Sequence, residues 1–267
     1  MIKNISSAQN PLIKQIVVLQ EKSRERKKTG KFVIEGLREI QLAIQGNYEI
    51  EQLLFCDDLL LKEVLESLLE LLNHAEFIRI PKEVYEKVAH RKTTEGIIAI
   101  AKTKSLIIGD LKLKKNPLIL IAEAPEKPGN IGALLRTADA AGLDAVLIAN
   151  PKTDLYNPNI IRSSVGCIFT TNLAFGDSAE IISYLKSHHI QILTAALRED
   201  STAYDRVDFK KPTAIVVGAE DTGLSDIWLN NADQNIIIPM KGKIDSLNVS
   251  VSAAILIFEA TRQRNSL

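Results

Sequence analysis

The chain is poor in the residues that build metal centres and disulfide frameworks. Its 267 residues hold two cysteines, Cys56 and Cys167, and four histidines. No CxxC or HxxxH spacing occurs, which excludes the usual structural zinc patterns, and two lone thiols suit a reducing compartment. His74 and His90 are isolated, while His188 and His189 close an expected helix beside Lys186, where the helix dipole accounts for them. Neither a Ser-His-Asp nor a Cys-His set is suggested, and no metal is expected. Apolar runs fall well short of the ~20 residues that cross a bilayer, so no membrane partner is expected. The opening MIKNISSAQNPLIKQ lacks a signal-peptide core, and the expectation is a cytoplasmic protein. Net charge is zero, 33 basic against 33 acidic residues, which argues against a chain coated with basic groups.

Charge is nevertheless concentrated locally. The run RERKKTGK near the N-terminus places Arg24, Arg26, Lys27 and Lys28 together, a pattern suited either to a phosphate backbone or to a solvated helix end. A helix is expected from about Asn10 to Lys28, stopped at Thr29-Gly30. Beyond it, short apolar strands at 32–34, 50–55, 77–80 and 97–101 alternate with helices at 37–44 and 59–72. This is an α/β unit of about a hundred residues. The lysine-rich stretch 101–117 marks a change in composition, and residues 106–115 read as a linker between domains 1–105 and 116–267. From Leu118 the alternation restarts. Its apolar strands do not alternate with polar residues, which points to a parallel sheet covered on both faces.

Three segments of the second half carry chemistry. In EKPGNIGALLRTADAAG, residues 126–142, a Pro-Gly turn leads to Asn130 as an expected helix cap, and Arg136 follows in the second helical turn, where a guanidinium and a helix start can share a phosphate. In VVGAEDTGLS, residues 216–225, a buried strand ends at Gly218, and Glu220 is placed at the mouth of a cleft. In IIIPMKGKIDSLNVSVSAA, residues 236–254, a strand gives way to a polar loop and then to a small-residue helix, with Ser246 an expected cap and Asn248 an available amide. GNIG is not GxGxxG, and Asn150, not an acid, follows the next strand. A dinucleotide-dependent oxidoreductase is therefore poorly supported.

Taken in order and spacing, PGNIGALLRTADAAG, VVGAEDTGLS and IPMKGKIDSLNVSVSAA resemble the three motifs of the SpoU (TrmH) family of RNA ribose methyltransferases. The resemblance covers roughly residues 116–264 and extends to NPNIIRSSVGCIF at 157–169. FVIEGLREI at 32–40 and KTTEGIIAIA at 92–101 resemble, less sharply, the ribosomal-protein-type α/β/α substrate-binding domain often fused to these enzymes. The resemblance implies a SPOUT α/β fold with a C-terminal trefoil knot, S-adenosylmethionine as methyl donor and a homodimer. By motif position it assigns the cofactor to Gly218, Ile238 and Leu247, with Ala195 and Ala196 beside them. Asn130, Arg136, Glu220, Ser246 and Asn248 match the catalytic or RNA-contacting positions. Arg24, Arg26, Lys27, Lys28 and Arg38 are the expected RNA contacts of the first domain. Ribosomal RNA is the preferred substrate. Transfer RNA, or a non-catalytic RNA-binding protein on the same fold, is the alternative.

Overall fold

The computed structural model describes residues 2–90 and 95–265, so the first residues of the KTTEGIIAIA motif lie outside the described residues. The chain forms two compact units. One comprises residues 1–104 and 154–170, the other 105–153 and 171–267. The division differs from the sequence reading at two places. The 106–115 stretch, read as a linker, belongs to the second unit, where its short helical turn Ile108–Asp110 sends Ile108 into the core. Residues 154–170, read as part of the C-terminal domain, pack with the first unit.

The first unit is a five-stranded mixed sheet. From edge to edge its strands are Lys3–Asn4, Glu76–Arg79, Ile50–Phe55, Ile97–Lys102 and Lys31–Glu35. The first three run parallel, and Ile97–Lys102 is antiparallel to both of its neighbours. Helix Pro11–Glu21 starts where the Asn10 side chain accepts from Leu12 N at 2.9 Å and proline takes the first helical position. It buries Ile13, Ile16 and Leu19, at three-residue spacing, against the sheet. The expected single helix to Lys28 is two helices, because Lys22 takes an extended conformation and Ser23–Thr29 follows as a separate turn, ended by left-handed Gly30. Residues 154–170 contribute Tyr156 and Phe169 to an aromatic cluster. Phe32 stacks on Tyr156 at 4.4 Å between ring centres and on Phe169 at 5.8 Å, with Tyr48 edge-on to Phe169. Each such pair adds about 0.5–1.5 kcal/mol beyond its buried area. Burial pushes the Tyr48 and Tyr156 hydroxyls above the ordinary phenol range, so both stay neutral.

The second unit is a seven-stranded sheet in which every pairing is parallel. The spatial order is Thr202–Ala203, Gln234–Ile237, Gln191–Ala195, Thr213–Val217, Leu118–Glu123, Ala145–Ala149, Leu173–Gly176. Its central strands are buried along their whole length, matching the unbroken apolar runs of the sequence. On one face, Ile119, Ile121, Leu147 and Val216 pack with Leu185 and Trp228 of the helices Ser178–Ser187 and Asp226–Leu229. Helices Pro128–Ala141 and Val249–Asn265 pack on each other, and the latter also packs on strand Thr213–Val217. The chain enters this sheet at Leu118–Glu123, works outward through Ala145–Ala149 to Leu173–Gly176, then returns to the other side. The strand order therefore reverses beside Leu118–Glu123, and the loops after its neighbours diverge there, the usual place for a ligand crevice in such sheets.

Candidate active site

A cavity of about 440 Å³ opens at the carboxyl ends of strands Gln191–Ala195, Thr213–Val217 and Gln234–Ile237. Its size is that of a small-molecule site. All five residues assigned to the cofactor line it: Ala195, Ala196, Gly218, Ile238 and Leu247. Of the catalytic set, Glu220, Ser246 and Asn248 line it as well. A smaller cavity of about 110 Å³ adjoins it, bounded by Lys127, Asn130, Leu134 and Thr222. Gly218, Ala219, Glu220 and Val249 border both. Arg136 lines neither.

The loop after strand Thr213–Val217 is folded back on itself. Ala219 and Gly223 exchange two backbone hydrogen bonds, of 3.0 and 3.1 Å, and Gly223 takes the left-handed conformation. A Cβ on Gly218 would lie 2.2 Å from the Gly223 carbonyl carbon. The absence of a side chain at Gly218 thus serves the loop's own closure. Gly218→Ala is expected to splay this loop at a cost of about 1–3 kcal/mol. Because the loop walls both cavities, ligand affinity should fall about ten-fold or more, and the thermal transition should fall by several degrees. Equal affinity in titrations of the variant would refute the constraint.

A buried carboxylate anchors the far end of that loop. Glu123, 5% exposed, closes strand Leu118–Glu123 and accepts from Ser225 N at 2.8 Å and Ser225 Oγ at 2.5 Å. Ser178 Oγ donates to it at 3.3 Å while accepting from Trp228 Nε1 and Asn150 Nδ2. Sequence reasoning missed Glu123, although an acid ending an otherwise apolar strand is a visible signal for a satisfied buried network. It also missed Lys127, whose ammonium is hydrogen-bonded and ion-paired to Glu220 Oε2 and is thereby held above the ordinary lysine pKa.

Asn248, not Ser246, starts the last helix. Its Oδ1 accepts from Ser250 N at 3.0 Å and Ser250 Oγ at 2.6 Å, an N-cap geometry, and the helix runs Val249–Asn265. Ser246 lies in the exposed loop before it and donates to Asp245 Oδ1. Asn130 differs from expectation too. Helix Pro128–Ala141 begins with proline at its first position, which makes Asn130 its third residue and leaves Lys127 at the cap. Asn248 Nδ2 donates to Asn130 Oδ1 at 3.3 Å, tying the first motif to the third. Asn130 Nδ2 is buried and has no hydrogen-bond partner among the described residues.

Because the helix begins at Pro128, Arg136 sits about 12 Å along it and about 120° round the axis from Asn130. It is exposed, and does not reach past the helix start as the sequence suggested. In the first unit Arg24, Lys27, Lys28 and Arg38 are exposed. Arg26 is the exception. It is 3% exposed, ion-paired through Nε to Asp154, and donates from Nη1 to Leu19 O at 2.6 Å and Gln20 O at 3.1 Å. Arg26 is therefore a structural cation and is withdrawn from the RNA contacts. Among the described residues no group of acidic, histidine or cysteine side chains has a metal-holding arrangement, and no helix is long and apolar enough to cross a membrane.

Residues 117–258 match the SpoU rRNA Methylase family, and residues 10–99 match the MRM3-like substrate binding domain. The chain is 29% identical over 257 residues to the 23S rRNA (guanosine(2553)-2'-O)-methyltransferase RlmP of Bacillus subtilis, covering 96% of this chain and 98% of that one. It is 39% identical over 155 residues to the tRNA (guanosine(18)-2'-O)-methyltransferase of Thermus thermophilus, covering 58% of this chain and 79% of that one. Among solved structures it is similar to the SpoU methyltransferase AviRb of Streptomyces viridochromogenes in complex with the cofactor AdoMet, with a TM-score of 0.87 and 25% identity over 97% of this chain and 100% of that one. With a family match across more than half its length, on the sheet and the three loops that wall the paired cavities, the chain belongs to the SpoU rRNA methylase family.

Proposed function

We propose that the chain is an S-adenosylmethionine-dependent RNA methyltransferase acting on a ribose 2'-hydroxyl, in ribosomal RNA. One observation carries the reading: the five residues assigned to the cofactor converge on one cavity, and Asn248, which lines it, donates to Asn130, which lines the smaller cavity beside it. The residues fit the group. The walls at Ala195, Ala196 and Gly218 are backbone and small side chains, which admit a flat base, while Glu220 and Asp245 set carboxylates at the rim for a cationic ligand. Bound there, S-adenosylmethionine supplies an electrophilic methyl group on a sulfonium. The chain's part is to align a weak nucleophile, the ribose oxygen, and to stabilise charge on it. Arg136 grips the neighbouring phosphate and stabilises the forming alkoxide. A guanidinium stays charged and accepts no hydrogen bond, so the proton passes elsewhere, to phosphate, water or Ser246. Asn130 orients the ribose, and Asn248 fixes Asn130.

A homodimer is part of the same reading, and the position of Arg136 supports it. It lies on the helix packed beside Val249–Asn265, whose Val251 and Phe258 are 47% and 50% exposed, an apolar face suited to a second copy. The knot around Pro239–Leu247 and a cytoplasmic location belong to the same reading. Ribosomal RNA is favoured over transfer RNA because the similarity to the B. subtilis rRNA enzyme spans both units, whereas that to the tRNA enzyme spans 58% of the chain. Arg24, Lys27, Lys28 and Arg38 of the first unit supply RNA affinity. Calorimetric titration with S-adenosylmethionine, and ribose-methylation mapping of total RNA with and without the gene, test the reading. Binding plus one lost rRNA methylation is expected. A lost tRNA methylation would move the substrate class, and failure to bind the cofactor would overturn the reading.

A further inference from the structure

Strand Gln234–Ile237 carries an asparagine beside two isoleucines. Asn235 is 9% exposed and stands in register with Thr194, which is 0% exposed, on the adjoining parallel strand Gln191–Ala195. Asparagine is disfavoured in strands, so a buried one marks a satisfied polar network. Three side chains form it. Thr194 Oγ1 donates to Asn235 Oδ1 at 2.6 Å, and Asn235 Nδ2 donates to Asp200 Oδ2 at 3.1 Å. The direction of both bonds is forced. A carboxylate only accepts, so the amide turns its nitrogen to Asp200 and leaves its oxygen for the Thr194 hydroxyl.

Asp200 belongs to the loop that follows strand Gln191–Ala195. Ala195, Ala196 and Leu197 line the 440 Å³ cavity, as do Ile236, Ile237 and Ile238 from the other strand. The loop is folded on itself: Ser201 Oγ donates to Ala196 O at 2.7 Å and accepts from Arg198 N at 3.2 Å. Its first residue is held to the sheet by the bond from Ala196 N to Ile236 O, 3.1 Å long, and Asp200 is held by Asn235. Apolar packing adds little at Leu197, which is 72% exposed.

We propose that Asn235 is a positioning residue for the methyl-donor cavity: through Asp200 it holds loop 196–201 in the shape that walls the cavity before the cofactor arrives. The proposal rests on the reading of that cavity as the S-adenosylmethionine site and deepens it. Neither Asn235 nor Asp200 lines either cavity, so both act through the loop and not by contact with a ligand. A wall already in place spares the ligand the cost of ordering it. Asp200 also meets Arg198 Nε at 3.3 Å, but both side chains of that pair are about half exposed and solvent screens it. The buried amide is the stronger tie, because release of Asp200 leaves Asn235 Nδ2 without its acceptor.

The test exchanges amide and carboxylate across the bond. Asn235→Asp sets two carboxylates against each other, and S-adenosylmethionine affinity, read by calorimetric titration of the full chain above neutral pH, should fall about ten-fold or more. Asp200→Ala, a change on an exposed loop that the fold should tolerate, should weaken it about five-fold. Asn235→Asp combined with Asp200→Asn again sets one donor against one acceptor, keeps an oxygen for Thr194, and should return affinity to within about three-fold of the parent. With RNA from cells lacking the gene as acceptor, KM for the cofactor should rise in step with these losses while kcat at saturating cofactor stays within about two-fold. Deuterium uptake at residues 196–201 of the cofactor-free chain should rise in each single variant and return in the combined one. Parental affinity in Asp200→Ala overturns the proposal, as does a combined variant no better than Asn235→Asp, or a kcat that falls along with affinity. If the parent itself does not bind S-adenosylmethionine, the methyltransferase reading fails and the uptake series judges the tie alone: a rise that reverses in the combined variant sustains it, and flat uptake overturns it.

Discussion

Arg136→Ala is expected to lower turnover by about 10²–10³-fold while leaving S-adenosylmethionine affinity unchanged, the scale of loss seen when one preorganised donor to a developing oxyanion is removed. The side chain is exposed and borders neither cavity, so the variant should unfold close to the parent's temperature. Arg136→Lys keeps the charge but not the planar fork, and should recover only a small part of the loss. Near-parental turnover by the lysine variant would refute a specific guanidinium role. A mixing experiment tells which cavity Arg136 serves. Gly218→Ala chains have a damaged cavity with an intact Arg136, and Arg136→Ala chains have the reverse. If Arg136 acts on the partner's cavity, random reassortment of the two variants, assayed at a cofactor level too low to fill the Gly218→Ala cavity, restores up to about a quarter of parental activity, because about half the dimers are mixed and each carries one intact site. No recovery from verified mixed dimers would place the arginine and its cavity on one protomer.

The parallel sheet and the three loops at its carboxyl edge were legible because both are encoded locally. Unbroken apolar runs such as Leu118–Ala122 and Ala145–Ala149 announce strands buried on both faces, and the glycines and polar residues after them announce loops. What escaped was decided by partners far away in the chain. Tyr156 and Phe169 look like any aromatic residues between Leu118 and the C-terminus. Only the packing shows that they stack on Phe32 and build the first unit. The shifted helix starts had a nearer cause. Pro128 and Asn130 were both admissible starting signals, as were Ser246 and Asn248, and cap preference alone does not rank two candidates two residues apart. Arg26 carried a usable clue. It stands seven residues after Leu19, close to the buried face of the preceding helix, whereas Arg24, Lys27 and Lys28 do not share that register. The run of charge concealed it.

The burial of Arg26 sets up the second large effect. Asp154→Ala is expected to destabilise the first unit by about 3–5 kcal/mol, the usual penalty for stranding a buried charge whose partner is removed. Arg26 would retain its bonds to the Leu19 and Gln20 carbonyls, but those dipoles do not neutralise a guanidinium that is 3% exposed. Asp154 itself is held on the opposite side, accepting from Tyr156 N at 3.0 Å through its other oxygen, so the loss also loosens the turn that presents Tyr156 to Phe32. Replacing both partners by apolar residues, Arg26→Met with Asp154→Leu, should cost clearly less than either single change, because no unpaired charge is left inside. Urea unfolding combined with hydrogen exchange separates the outcomes. Protection should fall across Pro11–Glu21 and residues 154–169 while strands Leu118–Glu123 and Thr213–Val217 keep theirs. A loss below about 1 kcal/mol for Asp154→Ala would contradict the buried-pair account. The same geometry makes deletion of residues 1–105 a poor probe of RNA affinity. It strips residues 154–170 of the sheet they pack on and leaves Tyr156 and Phe169 uncovered in the fragment that remains. Point changes at the exposed cations Arg24, Lys27, Lys28 and Arg38 isolate the electrostatic contribution of the first unit without that damage.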